Sequence, residues 1–411
     1  MGVDAENIIE MYVRAQAISE VPPELHKWSI ISAMAACVTD RIWVRKSGTK
    51  LHANMYIMFI GPSGVGKGAA INAINHVIHD DNYFLQIGCQ RMKGSAHGIS
   101  DLLSLEDRKG RLKVPKPGEP RIGVLYLILA ELSDSINEGP MAANFIRFIT
   151  DLYETSGLTT IELNRTWGNK HLARPCLNIL MGTTKEWLMT SLDQESVLSG
   201  FSARTICVQC EYDPNLRITN PVLPPDHKQL MGKVIERLKL LTTLDGEFVL
   251  SKEARELEHH WYQTRESPDV DDPAYASFRR EHDMILKLAT IITMANPGFN
   301  PQRKIVTRDA FACARDEIAT VNDKLDQLLN YAATTRDGRN LDRCFNIIRQ
   351  AGWEGISRPA LAQHLKVTKI QLDSVLDSIH EWGTVDEFST NEGTSMYRTT
   401  SATPPNRKKG K

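Results

Sequence analysis

The sequence predicts an α/β fold built on a parallel sheet, with helical segments before and after it. Two stretches carry that prediction. Met55 to Ile60 is an apolar run closed by a glycine-dense turn, and Ile71, Ile74, Val77 and Ile78 follow it at helical spacing. Ile122 to Glu131 is a second apolar run, read as a buried strand that ends in a carboxylate.

A strand, a glycine turn and a helix in succession is the context of a phosphate-binding loop. Gly61, Gly66 and Lys67 match the order G-x-x-x-x-G-K. Gly61, Gly64 and Gly66 let the backbone curl so that successive N–H groups face an anion. Lys67 reaches for the terminal phosphates, and the helix N-terminus behind it favours negative charge. The expected nucleotide contacts are Gly61, Pro62, Ser63, Gly64, Val65, Gly66, Lys67, Gly68 and Ala69. One position departs from the pattern. Gly68 stands where Ser or Thr normally gives a hydroxyl to Mg²⁺. The metal must then use water or another side chain, or be held weakly, so nucleotide binding is expected to survive better than fast hydrolysis.

Residues 4 to 40 read as helices broken at Pro22–Pro23, and Ile42, Trp43 and Val44 as a short strand. This segment is expected to form a collar on the core. Beyond the loop and its helix come a strand at Tyr83 to Ile87, a short helix near Ile99 to Leu105, and a basic Pro/Gly-rich loop, Asp107 to Arg121. That loop reads equally as a solvated hairpin or a functional one. In P-loop ATPases the strand of Ile122 to Glu131 delivers a metal-holding Asp and then the Glu that polarises the attacking water. Ala130 fills the first slot and Glu131 the second, so Glu131 is read as catalytic, with capping as the plainer role.

Met141 to Tyr153 reads as an amphipathic helix, and Thr159 to Leu163 as a strand followed by a polar hairpin tip. The tip carries Arg165, Trp167 and Lys170, which suit single-strand contact, although a lone Trp is also commonly packed. Strand Leu177 to Met181 ends in Gly182, Thr183 and Thr184. After a helix, Trp187 to Leu198, comes Gly200 to Arg204, leading into strand Thr205 to Gln209. An arginine at that junction either crosses a subunit boundary to a neighbour's nucleotide or makes a surface salt bridge.

Pro214 to Pro225 is linker-like, and Asp226 to Leu329 is largely helical with a break at Glu266 to Pro273. From Arg339 three helices (Leu341 to Ile348, Ile356 to Leu365, Thr368 to Trp382) precede two strands (Val385 to Phe388, Ser395 to Arg398), the pattern of a winged helix-turn-helix. Its third helix offers Lys366, Lys369 and Gln371 to a groove, but Asp373 and Asp377 leave protein docking open. The expected domains are a helical segment (1–50), the P-loop core (51–213), a helical lid (214–335), the winged helix (336–400) and a disordered basic tail (401–411).

Composition bounds the function. The 411 residues suit two or three domains, and 49 Lys plus Arg against 50 Asp plus Glu leave no global pull toward nucleic acid. Any DNA contact must come from local basic loops. Seven scattered cysteines read as reduced thiols, and Cys207-x-x-Cys210 has no partner pair to complete a zinc site. With no signal peptide and no apolar run of spanning length, the expected location is the cytoplasm, of a bacterial host cell on the resemblance below, with no membrane partner.

On PELHKWSIISAMAA, NMYIMFIGPSGVGKG, LILAELSDSI, DLYE, LNILMGTT and GFSAR, the chain resembles phage and prophage replicative-helicase-like P-loop ATPases. More distantly it resembles the minichromosome-maintenance branch of AAA+ ATPases. The resemblance covers roughly residues 20 to 330, in the domain-size sense. It implies an AAA+/RecA-like core in which Gly61 to Lys67 are the Walker A loop, Glu131 the Walker B acid and Thr183 the sensor-1 residue. Arg204 matches the arginine finger, a sensor-2 residue falls among Arg279, Arg280 and Lys287, and the hairpin at Thr159 to Lys170 falls where these helicases carry a pore hairpin. The implied cofactors are ATP and Mg²⁺. The implied partners are single-stranded or forked DNA, replication proteins, and further copies of the chain in a hexameric ring. The resulting expectation is an ATP-dependent DNA helicase or translocase of phage or mobile-element replication. The alternatives are an ATP-switched helicase loader or initiator with slow hydrolysis, and a regulatory or defence ATPase whose winged helix docks a protein.

Overall fold

The computed structural model describes residues 6–79, 89–91, 96–107, 111–114, 121–132, 140–154, 158–162, 169–185, 187–188, 200–216, 218, 222–269, 275–365, 369–381, 385–389 and 395–400. The chain forms two compact units, Met1–Asp326 and Gln327–Lys411.

In the first unit, Asn7 caps α1 (Ile8–Ala15) by accepting a hydrogen bond from the Ile9 N–H at 2.8 Å. The next helix, α2 (Pro23–Val38), starts with proline at its first turn, where the missing N–H costs nothing. From Trp28 to Val38 every residue of α2 is buried. An all-round apolar helix belongs inside a core, and α2 packs on the helix and strand of the phosphate loop.

Two strands follow, β1 (Ile42–Lys46) and β2 (Thr49–His52), joined by Ser47 (φ 47°) and Gly48 (φ 83°). Two left-handed residues in a row make the tight hairpin turn whose twist matches its strands. Then come β3 (Tyr56–Ile60), α3 (Lys67–His79), β4 (Cys89–Arg91), α4 (Ala96–Leu103), β5 (Val124–Leu129), α5 (Pro140–Asp151), β6 (Leu158–Glu162), β7 (Asn169–Ala173), β8 (Cys176–Thr183) and β9 (Thr205–Gln209). The unit continues with α6 (His227–Leu241), β10 (Gly246–Leu250), α7 (Lys252–Thr264), α8 (Tyr275–Ala295), β11 (Ile305–Val306) and the start of α9 (Arg308–Gln350).

The core sheet is wholly parallel, in the order β4-β5-β8-β3-β9. All residues of β3 and β8 are buried, as strands covered on both faces must be. Two polar pairs tie the sheet to its surroundings: the Tyr126 hydroxyl meets Ser32 Oγ at 3.0 Å, and Asn178 Oδ1 accepts from the Met55 N–H at 3.0 Å.

A second sheet, β11-β10-β1-β2, was not expected. The region 226–329, read as largely helical, contributes β10 and β11, and β10 pairs in parallel with β1 near the other end of the unit. Short strands of two to five residues give too little periodicity to read. The expected strand Tyr83–Ile87 and most of the expected helix Trp187–Leu198 lie outside the described residues.

In the second unit, the last part of α9, α10 (Arg358–Leu365) and α11 (Lys369–Glu381) accompany a three-stranded antiparallel sheet. Its order is β12 (Ile356–Ser357), β14 (Ser395–Thr399), β13 (Val385–Ser389). Ile348, Leu361, Leu365, Leu376, Ile379 and Tyr397 belong to its core. The helix expected to begin at Leu341 has no start there, because α9 runs unbroken from Arg308 to Gln350.

Gly182, in β8, has no room for a side chain: a Cβ would stand 2.6 Å from the Ala130 carbonyl oxygen. Gly182→Ala should therefore destabilise the first unit by about 1–3 kcal/mol, the scale of overpacking, measured as a lowered midpoint in urea.

Candidate nucleotide-binding site

The phosphate loop leaves the C-terminal end of β3 and enters α3. Its base is pinned on both sides, by the Gly61 N–H to the Thr183 carbonyl (3.3 Å) and by the Cys210 N–H to the Ile60 carbonyl (2.9 Å). A Cβ on Gly61 would stand 2.4 Å from the Cys210 carbonyl oxygen, so only glycine fits. Gly66 has φ +96° and lies against Val21 of the N-terminal segment. Lys67 is 5% exposed, and its ammonium donates to the carbonyls of Gly61 (2.7 Å) and Pro62 (2.8 Å). Those neutral acceptors are weaker partners than phosphate oxygens, with which the same ammonium makes charge-assisted bonds.

Strand register brings the other candidates to the same edge. Ile60 pairs with Thr183, and Leu129 with Met181, so Glu131 stands level with Thr183. Since β8 separates β5 from β3, Glu131 lies two strand spacings, about 10 Å, from the loop's strand. Thr183 is fully buried, with its hydroxyl toward the Thr184 carbonyl at 3.4 Å. Loop, acid and threonine thus share one rim of the sheet, where ligands of parallel α/β folds bind.

Arg204 is at the opposite rim. It ends a short 3₁₀ turn, and the next residue, Thr205, pairs with Tyr56 at the start of β3. The length of β3, about 13 Å at the usual rise, separates it from the loop of its own chain. Its guanidinium donates to the Gly200 carbonyl (3.0 Å) and reaches Glu154 at 3.9 Å, while Nε is buried with no partner among the described residues. Burial, and then the neighbouring Arg280, lowers its pKa. Arg280 holds the same Glu154 at 2.6 Å.

Lys287 completes this second cluster. It donates to the carbonyl and side chain of Asn54 (2.9 and 3.0 Å), just before β3, and lies 3.9 Å from the Tyr153 ring centre. Burial pulls its pKa down to about 7. Arg280 and Lys287, two of the residues among which the resemblance puts a sensor-2 residue, lie beside Arg204 and Asn54, at the end of β3 away from their own Lys67. The sequence hint was a charge inside an apolar helical run (Ile285, Leu286, Leu288), but its partner Asn54 is invisible without the fold.

The single-strand candidates separate. Lys170 is not at a hairpin tip: it lies within β7, opposite Ile161, and is 8% exposed with its ammonium 3.1 Å from Asp101. Strand β7 already begins at Asn169, which places Lys170 in the ladder. Arg165 and Trp167 lie outside the described residues, and Lys369 is exposed at the start of α11. Cys207 and Cys210 are buried neutral thiols, pushed up to about 12 and about 11 by burial.

The loop fits a nucleotide's phosphates, whereas the donor set does not fit a conventional Mg²⁺ site. Gly68 and Ala130 have no side-chain oxygen, and no cluster of three metal-ligating side chains occurs among the described residues. A Cβ on Gly68 would meet nothing within 4 Å, so a hydroxyl can be added without strain. Gly68→Ser should then make nucleotide affinity respond to Mg²⁺ more steeply than in the unchanged chain. Titrating labelled ATP with Mg²⁺ and with EDTA checks this, and identical Mg²⁺ dependence in both proteins counts against Gly68 as the missing ligand position.

No family model matches the chain, and no curated protein matches it. Among solved structures, it is similar to a full-length MCM homolog from Methanopyrus kandleri, at 14% identity and a TM-score of 0.41. The likeness covers 76% of this chain but 59% of that one, so the chain spans less than two thirds of that protein's length.

Proposed function

We propose that the chain is an ATP-driven DNA helicase or translocase that works as a ring, most simply a hexamer, in phage or mobile-element replication. One observation supports it above the others: the phosphate loop and Arg204 stand at opposite ends of the same parallel strands. An arginine that serves the nucleotide must then come from a second copy of the chain. In this reading the loop N–H groups and Lys67 hold the phosphates, and Glu131 orients the attacking water. Thr183 steadies the terminal phosphate, and the neighbour's Arg204 neutralises charge developing in the transition state. The β6–β7 hairpin and the second unit, read as a winged helix presenting Lys369, face DNA. Lys170, tied to Asp101, braces that hairpin against α4 rather than meeting phosphate. The domain divisions at 50, 213, 335 and 400 are part of the same proposal.

A second reading, a slowly hydrolysing loader or initiator, is favoured by Gly68 and Ala130. ATP hydrolysis with and without single-stranded DNA, together with displacement of an annealed strand, separates the two. DNA-stimulated turnover with displacement supports the motor; binding and assembly without displacement support the switch.

Glu131→Gln keeps shape and removes charge, so ATP binding should persist while turnover falls roughly 10²-fold or more. Turnover within a few-fold of the unchanged chain would assign the water to another group.

Arg204→Ala should leave ATP binding in each subunit largely intact and remove hydrolysis. Mixing it with Lys67→Ala subunits should restore part of the activity, because some interfaces then pair an intact loop with an intact arginine. A mixture that stays inactive while light scattering confirms co-assembly counts against the shared site.

A further inference from the structure

Three non-glycine residues hold left-handed backbone among the described residues: Thr39 (φ 54°), Ser47 (φ 47°) and Arg174 (φ 44°). The hairpin turn explains Ser47. The other two have no such reason, since Thr39 is β-branched and Arg174 precedes Pro175, whose ring disfavours anything but extended backbone before it. Strain of this kind concentrates at functional sites. Arg174 and Ser47 line one cleft of 870 Å³, and Thr39 directly precedes Asp40, which lines it too.

The cleft lies at the N-terminal end of β3, where Asn54 and Lys287 contribute to its wall, and so away from the phosphate loop. Seven cationic side chains face four carboxylates there. Most carboxylates are already engaged: Asp40 by Arg121 (3.1 Å), Glu154 by Arg280 (2.6 Å), and Asp283 by Lys46. Lys50 and Arg174 have no carboxylate partner among the described residues. Lys50 instead rests 3.6 Å over the Trp43 ring centre, which aims a cation without neutralising it. The positive charge is therefore spare, and it is carried at the rim by two hairpins, β1–β2 through Lys50 and the exit of β7 through Arg174.

Enclosed small-molecule sites are mostly apolar with a few placed polar groups. This lining is the reverse: beside Trp43, Leu51, His52 and Tyr153 it is made of charged and polar residues. Cations spread over separate segments, beside an aromatic ring, are instead the pattern that tracks a nucleic-acid backbone. The volume admits a short run of one strand and not a duplex. We propose that this cleft binds the phosphate backbone of single-stranded nucleic acid, with Lys50 and Arg174 meeting phosphates. It shares the nucleic-acid partner of the function proposed above but needs neither nucleotide nor Lys67.

The test uses the full chain, without nucleotide, and a labelled single-stranded oligothymidylate followed by anisotropy across a salt series. Lys50→Gln with Arg174→Gln changes two side chains outside the ATP machinery; Arg280 and Lys287 are left alone because they also border the Arg204 cluster. The double variant should bind about tenfold more weakly at low salt, with the salt slope reduced by roughly 1.4, or 0.7 for each lost phosphate contact. Each single variant should lose about half of that slope, which keeps the test valid if the double variant melts early. Lys67→Ala should bind the strand as the unchanged chain does. A folded double variant with unchanged affinity and slope overturns the proposal, and so does a loss confined to free triphosphate, which would make the cleft a small-anion site. Because Lys67→Ala tests ATP separately, either reading can fail while the other stands.

Discussion

The direction of the β3 strand governs how the candidate site is arranged. β3 runs between β8 and β9 in one parallel sheet, so its two ends are different places. Its C-terminal end opens into the glycine loop, within reach of Thr183 and level with Glu131. Its N-terminal end meets Thr205 and, through Asn54, the buried Lys287. An antiparallel sheet would mix these groups; a parallel one sorts them. The glycine loop, Lys67, Thr183 and Glu131 collect on one rim, and a cluster of cations remote from them collects on the other.

The close approaches that hold this arrangement are made by main chain. Gly61 lies against the Cys210 carbonyl, and Gly182 against that of Ala130. These contacts fix the loop and the acid-bearing turn relative to one another without a polar network. Where side chains do the fixing, they are buried and bonded to main chain, as with Asn178 Oδ1 on the Met55 N–H and Lys287 on the Asn54 carbonyl. The same economy explains why Lys67 rests on its own loop's carbonyls: a buried ammonium needs acceptors, and the loop supplies them.

Much of the first rim was legible in the sequence because it is local. Strand, turn, lysine and helix are contiguous from Met55 to Ile78, and the apolar run ending in Glu131 announces its own polarity. The second rim was not legible, since Arg204, Arg280, Glu154 and Asn54 meet only through the fold. Lys170 shows the limit within a hairpin: a polar stretch, Asn164 to His171, hides where the ladder resumes, and two residues decide between an exposed tip and a buried ion pair. The β1–β10 pairing left no trace, because neither five-residue strand alternates clearly and their partners are far apart in sequence. In the second unit the helix and strand positions were readable from apolar spacing, whereas the unbroken run of α9 was not, since its middle is polar and carries Asp337-Gly338, a pair that ordinarily marks a turn.

That β1–β10 pairing bears on how the chain is made. Ile42 finds its partner Gly246 only after roughly two hundred further residues have been synthesised. At ribosomal rates of ~5–20 residues per second, β1 and the apolar helix before it wait about 10–40 s for that edge. Throughout that interval β1 keeps one strand edge unpaired, and Arg45 and Lys46 on it supply the charge by which exposed edges resist pairing with the wrong neighbour.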